Sequence, residues 1–316
     1  MADFRFDLLQ GRWVLVAPAP SSDEADASER STDCALCRPM GDPSPAWQVR
    51  VLPRPDLLGG PGSLASQWLG PALLQGPGVG VTELLVLSPD HTRSWTGLDD
   101  RHVALVMAAV ADRLSGFAAM AGVRCAAATV ASHDPASHID HPHGWLAGLP
   151  VTPQSVRNEI HGFHLFSGNC LLCATGEEEE CEGHRLVHAD DEVVVICPFW
   201  SSSPYEMLVL PRHHPHLHAA AASDLAATGW AVRSALRALE SRVRRPHYQV
   251  TFHTAPYDVT EFHWHAHVVL DRSAVTTPLD VELNTVAPEQ AAIELRRAYA
   301  EAAGTNRRVA SGATSR

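Results

Sequence analysis

At 316 residues and 45% hydrophobic content, the chain is too long for one small core and suits two packed units or a duplicated one. A formal net charge of −12 argues against broad attraction to nucleic acid or to an anionic membrane. All 24 basic residues are arginines, which excludes lysine Schiff-base chemistry and a phosphate loop built on lysine.

No apolar run reaches the roughly 18 residues of a membrane span. The start, Met1-Ala2-Asp3-Phe4-Arg5, has neither the basic nor the apolar segment of a signal peptide, so a cytoplasmic protein is expected. Its seven cysteines then call for a role other than disulfides. The 19 histidines cluster at 133–143, 161–164, 213–218 and 253–267.

In chain order, Gly11 to Ala17 reads as a strand, and 18–33 as a polar loop leading to Cys34-Ala35-Leu36-Cys37. Residues 53–80, rich in Gly, Pro and Leu, carry no clear period. Val81 to Ser88 is an apolar strand ending in Pro89-Asp90-His91. Leu98 to Ala121 has helical periodicity, with Asp99 and Asp100 suiting its first turn. Arg124 to Ala131 is a small-residue strand running toward His138-Ile139-Asp140-His141-Pro142-His143-Gly144-Trp145. There two histidines one residue apart share a face of extended backbone, and the proline between them restricts the geometry. A neutral imidazole in that place either binds metal or attacks an electrophile.

The second part of the chain repeats this order. Cys170 and Cys173 form another pair, followed by a glutamate run, Glu177 to Glu180, read as a solvated loop. Strands at Glu192–Cys197 and Met207–Pro211 precede Arg212-His213-His214. A helix from Ala221 to Val243, a strand from His247 to His253 and the run Phe262-His263-Trp264-His265-Ala266-His267 follow. Pro288 to Ala302 is a last helix with Pro at its start, and 304–316 reads as a disordered tail.

Superposing the halves aligns Cys34/Cys37 with Cys170/Cys173, His91 with His214, and His141/His143 with His263/His265. Zinc favours four tetrahedral ligands, and two cysteines plus two histidines are a common structural set. Two zinc sites follow: Cys34, Cys37, His91 and His141; and Cys170, Cys173, His214 and His263. Cys125, Cys181 and Cys197 fall outside the pattern.

These residues resemble the histidine-triad superfamily, and within it galactose-1-phosphate uridylyltransferases and their nucleotidyltransferase or phosphorylase relatives. Ser88-Pro89-Asp90-His91, His141-Pro142-His143-Gly144, Pro198-Phe199-Trp200 with Pro204-Tyr205-Glu206, Phe262-His263-Trp264-His265 and Ala287-Pro288-Glu289-Gln290 match in order. The resemblance implies an α+β protein of two tandem halves, 1–155 and 156–303, each a mostly antiparallel sheet with packed helices and a zinc site. It implies a cytoplasmic homodimer that handles a nucleoside diphosphate sugar. His143 would attack the α-phosphate and carry the nucleotide covalently, beside a zinc-bound His141. Another family ligand set, for iron or zinc, would fall on Glu159, His253, His265 and His267, and the cysteine-containing second site is preferred to it.

Four positions depart from the resemblance. Trp145 stands where the family has a phosphate-holding glutamine, and Val130-Ala131-Ser132 replaces an Asn-x-Gly phosphate contact. Arginines expected after the first strand are absent from Pro18-Ala19-Pro20-Ser21-Ser22, and the sugar-recognition segment shrinks to Asp280 to Thr285. Trp145, Ser137 and His138 are the candidate substrate contacts; the last two read equally as solvent-facing loop residues. A transferase with altered substrate is therefore expected. Its alternatives are a zinc-stabilised nucleotide-binding protein that has lost transfer, and a nucleotide hydrolase using His265.

Overall fold

Nine strands join into one antiparallel sheet, ordered β3-β6-β8-β7-β12-β13-β11-β10-β9. They are β3 (Arg50–Pro53), β6 (Val81–Val86), β7 (Cys125–Ala131), β8 (His143–Leu149), β9 (Leu186–Ala189), β10 (Val193–Ile196), β11 (Met207–Pro211), β12 (Tyr248–His253) and β13 (His265–Leu270). A smaller sheet, β2-β1-β5-β4, is built from β1 (Asp3–Asp7), β2 (Arg12–Val16), β4 (Gln67–Gly70) and β5 (Leu73–Pro77). The computed structural model describes residues 2–17, 34–37, 47–55, 57–132, 139, 141–270 and 282–312. The expected polar loop at 18–33, Ser137, His138 and the first two residues of the shortened segment, Asp280 and Val281, lie outside them.

The central junction is the β7–β12 pair, with Val130 opposite Val250 and Thr129 opposite Thr251. Outward from it run β7, β8, β6 and β3 on one side and β12, β13, β11 and β10 on the other. One helix connects the strands at the matching place in each arm: α1 (Asp100–Ala118) between β6 and β7, and α4 (Ala222–Arg242) between β11 and β12. The stretches β6-α1-β7-β8 and β11-α4-β12-β13 thus follow one order within a single sheet.

Alternation along the strands sets which residues face the helices. Ala126, Ala128 and Val130 of β7, Leu146 of β8, Val250 and Phe252 of β12, and Ala266 and Val268 of β13 are buried in the main core. Against them α1 brings Val103, Val106, Met107, Val110, Leu114 and Phe117 at helical spacing. Each such side chain contributes about 1.5–3 kcal/mol on full burial. Asp99 caps α1 by accepting from the His102 amide at 2.8 Å. Arg233 of α4, 1% exposed, donates to the Leu98 carbonyl at 2.9 Å and pairs with Asp100, joining α4 to the start of α1.

Residues on the other strand faces are covered in part by α2 (Gln154–Leu165) and α3 (Leu171–Glu182). Leu172 of α3 packs with Val194, Ile196, Leu208 and Leu210, and Val156 of α2 packs with Ala255 and Phe262. The glutamate run read as a solvated loop lies inside α3 instead. One face of that helix packs on the sheet, so Glu179 turns inward, 3% exposed, and accepts from Arg185 Nε at 2.6 Å. Glu180 pairs with Arg212 at 2.6 Å. The last helix, α5 (Pro288–Gly312), continues past the point where a tail is expected to begin. The segment without a clear period supplies β4 and β5 of the small sheet.

Candidate active site and metal centres

His143 opens β8, and its place is set by a backbone contact. A Cβ built on the next residue, Gly144, would lie 2.5 Å from the Thr129 carbonyl oxygen and 2.8 Å from Val130. Only glycine lets β8 approach β7 this closely, which holds His143 and Trp145 together on the face away from Leu146 and the core. His143 is 4% exposed. Its Nδ1 donates to the His141 carbonyl at 2.7 Å, which leaves the imidazole lone pair on Nε2.

His141 is oriented by a matching device. Its Nε2 donates to the Ser88 carbonyl at 2.8 Å, so Nδ1 carries the lone pair. Cys34 Sγ and Cys37 Sγ each lie 3.6 Å from that Nδ1, and Cys37 Sγ lies 3.5 Å from His91 Nδ1. Two ligands bound tetrahedrally to zinc at about 2.3 Å (sulfur) and 2.05 Å (nitrogen) lie about 3.5 Å apart. The four side chains therefore stand at coordination spacing. Burial holds His141 below the ordinary imidazole range, which favours the neutral ring a metal needs.

The second set repeats the arrangement. Cys170 stands at the N-cap position of α3 and Cys173 lies on its first turn, so one helical end presents both thiols. Their sulfurs lie 3.4 and 3.6 Å from His263 Nδ1, and Cys173 Sγ lies 3.2 Å from His214 Nε2. His263 Nε2 donates to the Pro211 carbonyl at 2.8 Å. Burial, with His214 and His265 alongside, pushes the His263 ring down to about 3.

Glu159, His253, His265 and His267 form a third group, its candidate ligand atoms within 4.8 Å of one another. Glu159 reaches it from α2. Its Oε1 lies 2.6 Å from His253 Nδ1, 3.6 Å from His265 Nε2 and 3.5 Å from His267 Nε2. Burial opposes its ionisation, yet the three imidazoles hold it far below the usual carboxylate range. Its Oε2 is buried with no hydrogen-bond partner, an orphaned acceptor inside a cluster of ligand atoms. The second cysteine set and this group are not alternatives: His263 faces the thiols, while His265 and His267 face Glu159.

In the sequence, Glu206 stands out only within Pro204-Tyr205-Glu206. Its Oε1 lies 3.6 Å from His267 Nδ1, and its Oε2 accepts from the Ser202 amide at 2.7 Å. This is the carboxylate–histidine pairing that commonly orients a metal ligand. Burial opposes it, but Glu159 and Glu206 together raise His267 to about 9. Tyr205, just before Glu206, has φ of 56°, a left-handed backbone that is unusual for a bulky residue.

Trp145 stands beside His143, ring centroids 6.0 Å apart at 82°. Arg54, which no motif singled out, places its guanidinium carbon 5.4 Å from the centre of the Trp145 ring. Its only signal in the sequence is a position just after a strand, between two prolines. Among the described helices none is long and apolar enough to cross a membrane.

No family model matches the chain. It is 24% identical to the ADP-glucose phosphorylase of Arabidopsis thaliana, covering 93% of this chain and 92% of the relative. It is 22% identical to the galactose-1-phosphate uridylyltransferase of Thermotoga maritima, covering 95% of this chain and all of the relative. The rat galactose-1-phosphate uridylyltransferase is 32% identical over 49% of this chain and 46% of its own length. Among solved structures, a uridylyltransferase superposes with a TM-score of 0.80 at 21% identity, covering 95% of this chain and 99% of its own. An ADP-glucose phosphorylase from Arabidopsis thaliana with bound ADP-glucose gives 0.70 at 20%, covering 94% and 98%. Those identities speak for the fold, and the two long sequence matches make the chain similar, along nearly all of its length, to an ADP-glucose phosphorylase and to a galactose-1-phosphate uridylyltransferase.

Proposed function

We propose that this chain is a nucleotidyltransferase that acts on a nucleoside diphosphate sugar through a covalent intermediate on His143. The supporting observation is the Nδ1–H···O=C bond from His143 to His141, which fixes the tautomer and aims a neutral Nε2 lone pair from a buried strand. In the first step Nε2 attacks the α-phosphorus. The bond from that phosphorus to the bridging oxygen breaks, and the sugar phosphate leaves with the electron pair. Positive charge that develops on the ring is met at Nδ1–H by the His141 carbonyl. In the second step an oxygen of phosphate or of another sugar phosphate attacks the same phosphorus, and the N–P bond breaks to restore His143. ADP-glucose and UDP-glucose are the first substrates to try, since relatives include a phosphorylase of the first and a uridylyltransferase.

Cys34, Cys37, His91 and His141 would hold one zinc, and Cys170, Cys173, His214 and His263 a second. Zinc there supplies structural cross-linking, and at the first set it steadies the backbone that carries His143. Glu159, His253, His265 and His267 would hold a third ion, zinc or iron, with the orphaned Glu159 Oε2 as the mark of fit. His265 is read as a ligand in that set rather than a nucleophile, since its Nε2 lies 3.0 Å from His267 Nε2. Domain limits at 155 and 303, a cytoplasmic location and a homodimer complete the reading.

The test is to incubate the protein with ADP-glucose or UDP-glucose labelled in the nucleotide and look for an acid-labile adduct. The reading expects one adduct per chain, absent from His143→Ala. No adduct from either donor would sink it. A binding protein without transfer is the second reading, favoured by the bulk of Trp145 beside His143; it expects nucleotide binding with no adduct.

A further inference from the structure

A nucleoside diphosphate sugar brings two phosphates to His143, and a neutral imidazole matches the charge of neither. The chain has no lysine, and Trp145 beside His143 offers a single N–H donor. Arg54 brings a cation to this place. It follows Pro53 and precedes Pro55, and the proline after it limits its backbone to extended conformations. Both its backbone polar groups are tied to Thr82: its amide donates to the Thr82 carbonyl at 2.8 Å, and its carbonyl accepts from the Thr82 hydroxyl. Thr82 in turn pairs with Ala147 of β8, the strand that carries His143 and Trp145. Backbone pairing and the Trp145 ring thus place Arg54 beside the strand that carries the candidate nucleophile.

We propose that Arg54, carried on the face of Trp145, is the phosphate-recognition group of the His143 site. It would take the phosphate that leaves with the sugar, with Trp145 serving as a platform for the cation. The proposal rests on the nucleotide-sugar reading above and deepens it. The ring face attracts the cation, and the N–H donors of a guanidinium lie in one plane, in a fork that matches two phosphate oxygens. A lysine would bring the charge but not the fork.

Calorimetric titration of the full-length protein with ADP and UDP, against AMP and UMP, tests this without requiring turnover. Wild type should bind the diphosphates more tightly than the monophosphates. Arg54→Gln should weaken the diphosphates about tenfold and the monophosphates less than about twofold, because one charge-assisted contact is lost. Arg54→Lys should recover only part of the preference. Trp145→Leu should weaken the diphosphates in the same direction, and the Arg54→Gln/Trp145→Leu pair should be no worse than Arg54→Gln alone. Circular dichroism checks each fold, and Arg54→Lys with Trp145→Leu carries the comparison should Arg54→Gln not fold. Equal binding of mono- and diphosphates by wild type, or a preference untouched by these changes at Arg54, would overturn the proposal. His143→Ala separates it from transfer: that variant should lose the adduct and keep the diphosphate preference. A wild type that prefers diphosphates yet forms no adduct strikes the transfer reading alone.

Discussion

The two His-x-His strands use one backbone device and arrive at different ends. Two residues ahead of β8 and of β13, the first histidine donates through Nε2 to a carbonyl, Ser88 or Pro211, each at 2.8 Å, and turns Nδ1 to a cysteine pair. In both, the second histidine donates through Nδ1 to the carbonyl of the first, at 2.7 and 2.8 Å. Beyond that point they part. His143 stands beside Trp145, over whose ring Arg54 lies, whereas His265 meets Glu159 and His267. Strand and tautomer are shared, so the surroundings decide whether an aimed lone pair meets substrate or joins a ligand cluster.

Paired substitutions give the sharpest way to break this comparison. His143→Ala should lower transfer by at least about 10³-fold, since no other group would carry the nucleotide. His265→Ala should leave the adduct in place and instead lower metal content by one equivalent, read by elemental analysis of the same sample. An adduct that survives in the first variant and vanishes in the second would reverse the assignment.

The cysteine sets offer the next contrast. Cys37→Ser and Cys173→Ser should each remove one zinc and cost roughly 3–5 kcal/mol of stability, the scale on which a buried charged network fails. Only Cys37→Ser should also slow transfer, by about 10–100-fold, because His141 carries the carbonyl that orients His143. Chemical unfolding and single-turnover adduct formation measure the two effects separately. Equal loss of transfer in both variants would mean that general stability, and not the His141 carbonyl, links zinc to the site.

Much of this was legible in the sequence because coordination leaves a residue-type signature. Both cysteine pairs, His91, His214 and the alternating histidines could be aligned by order alone, and the structure brings each expected set together. Long periodic elements such as α1 and α4 were legible from their apolar spacing. The α3 helix was not: its low amphipathicity and its glutamates suggested solvent, and Glu179 is buried only because Arg185, six residues on, lies in space to receive it. Glu206 and Arg54 were missed for a similar reason. Each acts through a side chain far away in sequence, His267 or Trp145, and no local spacing records such a partnership.

Glu206 gives a prediction of middling size. Glu206→Gln keeps the shape and the hydrogen bonds from Ser202 within reach but removes the charge facing His267 Nδ1. Affinity at the Glu159 cluster should fall about 10–100-fold, with the two cysteine sets unchanged. Competition with a chromophoric chelator reads the three sites by their order of release. Loss of metal from a cysteine set in this variant would contradict the separation of His265 and His267 from His263.

The smallest effect sorts the seven cysteines by chemistry. Cys181 is exposed, while Cys125 and Cys197 are buried and their thiols are pushed up to about 12 by that burial. A thiolate reagent should therefore react at once with Cys181 in the native protein, and with Cys125 and Cys197 only on unfolding. Cys34, Cys37, Cys170 and Cys173 should stay silent in the metal-loaded protein and react after a chelator is added, in two phases if the sites differ in affinity. Cys181→Ser should abolish the fast phase and change stability by less than about 0.5 kcal/mol, since the side chain is exposed. Four thiols that react fast before chelation would deny both cysteine sets their metal; a chelator phase missing from one set alone would show that matching geometry in the two arms does not carry matching occupancy.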